Sequence, residues 1–311
     1  MIHILVLMAA ALLTAQPAAE GREMPVVEVH EWGVITTGGQ GAVMAAHPAG
    51  EADPSTLYMP GDVLVDRAPV VYFYGPPFTG RFTVEAVSGE ITTTWPVPSS
   101  GPATWRITAD WAERDSAPGD VLAGRVHPST IDGWDATGWR VPQSMTLVTG
   151  EGYVDKLLYY ECTVDPGLLP LQPAEVGVDV AEGFEDMPVA LLIPSCAGLT
   201  VMPVNASVLE NPVELMRNSA LVSGDLLPFL YGWSRDIVDV EEVDALWGSW
   251  RRTLTVDGLP SPESGRALVV YRVPESILEG ISRLELETDE GFTVEYDRFI
   301  LCVSEIAFRR E

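Results

Sequence analysis

The sequence predicts a mainly β protein: a β-sandwich-like N-terminal region followed by a smaller α+β region. Three observations predict it. Short runs of β-branched and aromatic residues recur from Val26 to about Val204, the composition that fits a pleated, half-buried surface. Turn residues punctuate those runs, since 28 glycines and 25 prolines are spread through the 311 residues and not gathered into a linker. Beyond residue 205 the texture changes, and a clear helical periodicity precedes returning strands.

Ile4 to Leu13 is almost wholly apolar, and Thr14 to Ala19 is mostly small and contains Pro17. A helix crossing a bilayer needs about 20 apolar residues. This shorter run with its small-residue exit fits a signal peptide over residues 1–19, cleaved between Ala15 and Gly21. Its n-region departs from the usual pattern, with His3 and no Lys or Arg. The expectation is a secreted or periplasmic protein. It is not expected to be integral to a membrane, because no later segment is long and apolar enough.

The first mature strand is expected around Val29-His30-Glu31-Trp32-Gly33-Val34-Ile35-Thr36-Thr37. Val63–Val65 and Pro69–Tyr74 follow, closed by Gly75-Pro76-Pro77. Arg81–Val87 and Ile91–Trp95 flank Ser88-Gly89-Glu90, and alternation on both sides of a glycine turn predicts a hairpin. Trp105–Ala109, Met145–Val148, Lys156–Cys162, Val176–Val180, Val189–Ile193 and Leu199–Val204 complete a sandwich-like region over 24–205.

Residues 206–311 form the expected α+β region. Asn211-Pro212 opens a helix near 211–217. Val243, Leu246, Trp247, Trp250 and Leu254 recur at helical spacing over 239–254, with Glu241, Glu242 and Asp244 in the first turn, where the helix dipole favours anions. Strands return at Ala267–Val273, Arg283–Glu287 and Phe292–Ile306, with a short helix at Pro274–Glu279.

With 45 acidic and 18 basic residues the formal charge is −27. Such a surface repels phosphate backbones, so nucleic acid is excluded as a partner and anionic lipid headgroups are poor ones. Cations, neutral glycans and basic envelope proteins remain, beside the plain alternative that the charge serves solubility. Of three cysteines, Cys162 and Cys196 border turns and are the expected disulfide in an oxidising compartment. Cys302 sits in a strand-like run and reads as a small buried hydrophobe.

Several blocks, in order, resemble a family of secreted bacterial proteins marked by a His-Glu-Trp-Gly-Thr-Phe-Thr signature. Here that block stands as His30-Glu31-Trp32-Gly33-Val34-Ile35-Thr36, departing after Gly33. The family's Arg-Met-Glu-Thr-Pro-Val-Ile-Tyr-Phe-Tyr block is similar to Arg67-Ala68-Pro69-Val70-Val71-Tyr72-Phe73-Tyr74, two residues shorter. Its Lys-Phe-Leu-Phe-Tyr-Arg block is similar to Lys156-Leu157-Leu158-Tyr159-Tyr160-Glu161, with Glu in place of Arg. Its Thr-Trp-x-x-Ser-Trp helix resembles Leu246-Trp247-Gly248-Ser249-Trp250. The resemblance implies export and carries no catalytic residue with it.

Period two places His30 and Trp32 on one face of a strand and Glu31 on the other, so the adjacent pair is no ready-made dyad. The structural reading packs Trp32 in the core with His30 as a satisfied polar group. The functional reading joins His30 with His127 or His47 and a carboxylate around Zn²⁺, without a spacing motif to support it. Trp95 and Trp105 read as core, whereas Trp111, Trp134 and Trp139 fall in Gly/Asp-rich loops. With Asp132 and Asp135 these three could bind a glycan, and the same carboxylates could hold Ca²⁺. No cofactor is otherwise expected. The leading functional expectation is non-catalytic binding or scaffolding at the cell envelope. The competing class is a secreted hydrolase, metal-assisted or a carboxylate-pair glycosidase.

Overall fold

A computed structural model describes residues 25–37, 64–112, 140–195, 198–211, 226–234, 242–244 and 264–307. The expected signal peptide lies outside these residues, as do all but Asn211 of the helix near 211–217 and all but 242–244 of the helix at 239–254.

Two β-sheets make the sandwich. The larger has eight strands in the order β12 (Gly198–Asn205), β11 (Pro188–Ser195), β13 (Arg266–Arg272), β15 (Thr293–Ala307), β1 (Val26–Thr37), β2 (Leu64–Tyr74), β8 (Leu158–Val164) and β4 (Ile91–Trp95). The smaller has five, ordered β14 (Ser282–Thr288), β3 (Phe78–Ala86), β5 (Thr104–Asp110), β6 (Thr146–Thr149) and β7 (Val154–Asp155). A separate pair joins β9 (Leu171–Pro173) to β10 (Val178–Val180). Two described helices are α1 (Leu227–Ser234) and α2 (Glu275–Ile281).

The space between the sheets is filled by Val27, Val29, Val71 and Phe73 from the large sheet and Phe82, Trp105, Ile107 and Leu147 from the small one. Phe73 meets Phe82 edge-on, with ring centroids 5.2 Å apart. The other face of the large sheet is also covered. There Trp32, Val70, Tyr72, Val270 and Phe299 join Leu226, Leu230 and Val243 in a second apolar cluster. The architecture is therefore a sandwich with a third, helical layer. Coverage on both faces explains why β1 is buried without interruption from Val29 to Ile35, as centrally placed parallel strands are.

Strands are formed where the sequence predicts them, but one pairing differs. β3 and β4 do not form a hairpin: β3 pairs with β14 and β5, and β4 pairs with β8 at the edge of the other sheet. The intervening turn carries the chain from one sheet to the other. Its backbone is tied to β8, where Glu90 N donates to Thr163 Oγ1 at 2.8 Å and Thr163 N donates to Glu90 O at 2.9 Å. Alternation specifies two strands and a turn, and it is silent on which neighbour each strand takes.

The region after residue 205 supplies the described α-helices, as its texture predicts, and its strands enter both sheets. β15 runs parallel to β1 from Val26↔Thr293 to Thr37↔Ser304 and antiparallel to β13 on its other side. β14 edges the small sheet against β3.

Candidate functional site

On β1 the side chains separate as period two requires. Trp32 is fully buried in the outer cluster, while Glu31 faces the small sheet and is also fully buried. Glu31 is paired with Arg298, its register neighbour on β15, whose Nε donates to Oε2 at 2.5 Å. The Tyr160 hydroxyl donates to the other carboxylate oxygen. Arg298 is fixed further by Ser282, through Nη1 to the carbonyl at 2.9 Å and Nη2 to Oγ at 2.7 Å. Burial works against its charge, but the Glu31 carboxylate outweighs this and holds the guanidinium above its ordinary value. Glu31 is thus a satisfied structural ion, on the opposite face of the strand from His30.

His30 meets a different partner. Its Nδ1 lies 2.8 Å from Oε1 of Glu242, a residue 212 positions away and wholly buried. The Tyr74 hydroxyl donates to the same oxygen, and the Tyr74 and His30 rings stand 4.6 Å apart. The second oxygen of Glu242, Oε2, is buried without a hydrogen-bond partner among the described residues.

The outer nitrogen of His30 points toward acid. Nε2 is 3.5 Å from Asp297 Oδ2 and 3.7 Å from Glu28 Oε2, whose side chains are 40% and 51% exposed. Register explains the grouping: His30 lies opposite Asp297 and Glu28 opposite exposed Glu295 across the β1–β15 pair, with Tyr74 beside Glu28 on β2. Arg272 on β13 borders the group, its guanidinium 5.9 Å from the Phe299 ring centroid and Nη1 donating to Trp233 O at 3.4 Å. Burial lowers the Arg272 pKa, and Nε of this residue has no partner among the described residues.

Charge follows geometry. Burial lowers the affinity of His30 for a proton, but the bond and charge of Glu242, with Asp297 and Glu28, outweigh it and raise the pKa above the ordinary 6.5. Burial raises Asp297, with His30 pulling the other way. The site therefore favours an imidazolium clasped on one side by a buried carboxylate and rimmed on the other by exposed ones. No Ser, Thr or Cys among the described residues hydrogen-bonds His30, so a nucleophile is not supplied by them.

The other expected site residues divide. Trp95 and Trp105 are core, 2% and 0% exposed. Trp111 is 49% exposed, its indole donating to Gly75 O at 3.0 Å. Trp134, Trp139, Asp132, Asp135, His127 and His47 lie outside the described residues. The expected contact of His30 with His127 or His47 therefore falls outside the described residues. Among the described residues no group of three or more His, Cys, Asp or Glu side chains could hold a metal ion. Cys162 and Cys302 are buried in the inter-sheet core, and Cys196 lies outside the described residues.

A third buried carboxylate, Glu161, is also committed internally, accepting from Tyr159 at 2.5 Å and from Thr93 Oγ1 at 2.7 Å. A groove of about 900 Å³ lies elsewhere, along β3 and β14, with Glu85, Glu90, Arg283 and Glu285 among its lining residues. It contains no histidine or cysteine.

Sequence reasoning places Glu242 in the first turn of a helix and stops at the dipole. One signal pointed further. Glu242 stands four residues before Leu246 and eight before Trp250, on the apolar stripe itself, which is the inward side of such a helix. Asp297 and Arg298 carry no comparable mark, because their roles arise from the long-range β1–β15 pairing.

No protein-family model matches this chain, and no curated protein or solved structure matches it.

Proposed function

We propose that this chain is an exported, acidic, non-catalytic binding or scaffolding protein of the cell envelope, which engages a basic partner at the carboxylate rim around His30. One observation carries this reading. Glu28, Glu295 and Asp297 stand on one end of the central β1–β15 pair, exposed or half-buried, and their complement is an ammonium or guanidinium group. The net charge of −27 favours the same partner at long range by steering it. Export rests on the expected signal peptide over residues 1–19.

An oligolysine peptide tests the reading by fluorescence anisotropy at low and moderate salt. Replacing the rim (Glu28→Gln, Glu295→Gln, Asp297→Asn) weakens binding about tenfold, with a smaller salt dependence. Removing three charges from the outer face of the small sheet (Glu85→Gln, Glu285→Gln, Glu287→Gln) changes it little. Equal losses in the two variants would reduce the effect to bulk charge and sink the proposal.

A hydrolase acting through His30 is the second reading, favoured by the Glu242 contact, which fixes the imidazole as a general acid is fixed. Turnover of an ester or glycoside that disappears in His30→Gln would support it.

A further inference from the structure

We propose that the His30–Glu242 contact is a proton-operated latch, which holds the 242–244 segment against the outer face of the large sheet when His30 is protonated and loosens it when His30 is neutral. The contact is the only hydrogen bond between a described residue of β1 and that segment, and both partners are buried. Next to Glu242 in the chain, Val243 is fully buried in the apolar cluster that contains Trp32 and Phe299. The segment is thus fastened by an apolar plug, by hydroxyl donors from Tyr74 to Glu242 and from Tyr231 to exposed Asp244, and by one buried contact that depends on a proton, His30–Glu242.

Every element around His30 contributes to the balance. β1 presents Glu28, β15 presents Asp297, and β2 presents Tyr74, with Tyr72 as the register neighbour of His30. Arg272 of β13 lies beyond Asp297 and is the nearby cation of the sheet face. Three carboxylates therefore surround one imidazole. With the imidazole protonated, the Glu242 charge is compensated where it is buried. With the imidazole neutral, that carboxylate keeps the Tyr74 hydroxyl as a donor, while Oε2 has no partner among the described residues and the rim adds negative charge. An uncompensated buried charge is strongly unfavourable, and water is its nearest remedy.

The direction of the pH effect follows from the His30 pKa, which is raised in the folded protein. A raised value means that the proton contributes stability fully below the unfolded pKa and loses it as pH rises through the folded one. The latch is fully closed below 6.5 and loosens as pH rises above it, through the raised His30 value.

Hydrogen exchange measured by mass spectrometry on the full chain tests this, with rates corrected for intrinsic chemistry, between about pH 6 and about pH 9. Protection of peptides spanning 242–244 should fall by up to about tenfold per pH unit between the unfolded and folded His30 midpoints and level off above the folded one, while β13 and β15 stay protected. In Glu242→Gln the segment should lose that pH dependence, and in His30→Gln it should be poorly protected throughout. Glu242→Gln removes the charge and keeps the shape, so it remains informative if His30→Gln fails to fold. A wild-type segment with flat protection across the range, or a Glu242→Gln variant with the wild-type profile, would overturn the proposal.

Discussion

Glu31 and His30 are neighbours in the chain and belong to opposite sides of the sheet, and that separation decides what each can do. Glu31 is locked by Arg298 and Tyr160 inside the sandwich, whereas His30 meets Glu242 beneath the helical layer and acid at the solvent edge. The alternation itself is legible from the sequence. The identities of the partners are not, because each is brought in across more than 100 positions by tertiary pairing. Arg298→Met leaves a fully buried carboxylate with the Tyr160 hydroxyl and no charge partner, and should cost roughly 3–5 kcal/mol in urea unfolding. Adding Glu31→Gln should recover part of that loss, with a coupling of at least about 1 kcal/mol. Strictly additive losses would show that the two side chains do not meet.

Elements are the level at which the sequence speaks most clearly. β4 spans Ile91–Trp95, as its composition predicts, and β3, β5, β11, β12 and β15 lie within a few residues of their expected bounds. Pairing is less legible, and the β3–β4 turn shows why. A Cβ on Gly89 would stand 2.0 Å from Thr163 O, so this glycine permits close passage over β8 in place of a tight hairpin reversal. Gly89→Ala should therefore destabilise by about 1–3 kcal/mol, because backbone on both sides must move. Gly232 in α1 has open space where a Cβ would go, and Gly232→Ala should stabilise by about 0.5–1 kcal/mol. Equal effects at the two positions, read from urea midpoints, would contradict the packing described for the turn.

For the whole molecule, the composition foretells a β-rich fold and a change of texture after residue 205, yet that change does not separate the strands. β1, the first described strand, is sandwiched between β2 and β15, the last described strand, so the sheet closes only when the late strands arrive. A fragment of residues 24–205 would lose β13, β14 and β15 and leave the edges of β1, β3 and β11 unpaired. It should show no cooperative thermal transition, whereas the full chain melts in one step. A sharp transition in the fragment would mean that the first region carries its own complete core.

The central claim is that His30 and Glu242, 212 residues apart, share a buried charged contact at the head of the β1–β15 pair. With four histidines in the chain, the His30 imidazole can be followed by NMR as pH is raised, in the wild type and in Glu242→Gln. The account predicts a wild-type midpoint above 6.5 that falls clearly in the variant, where burial is opposed only by the more exposed Asp297 and Glu28. An identical midpoint in the two proteins would contradict it.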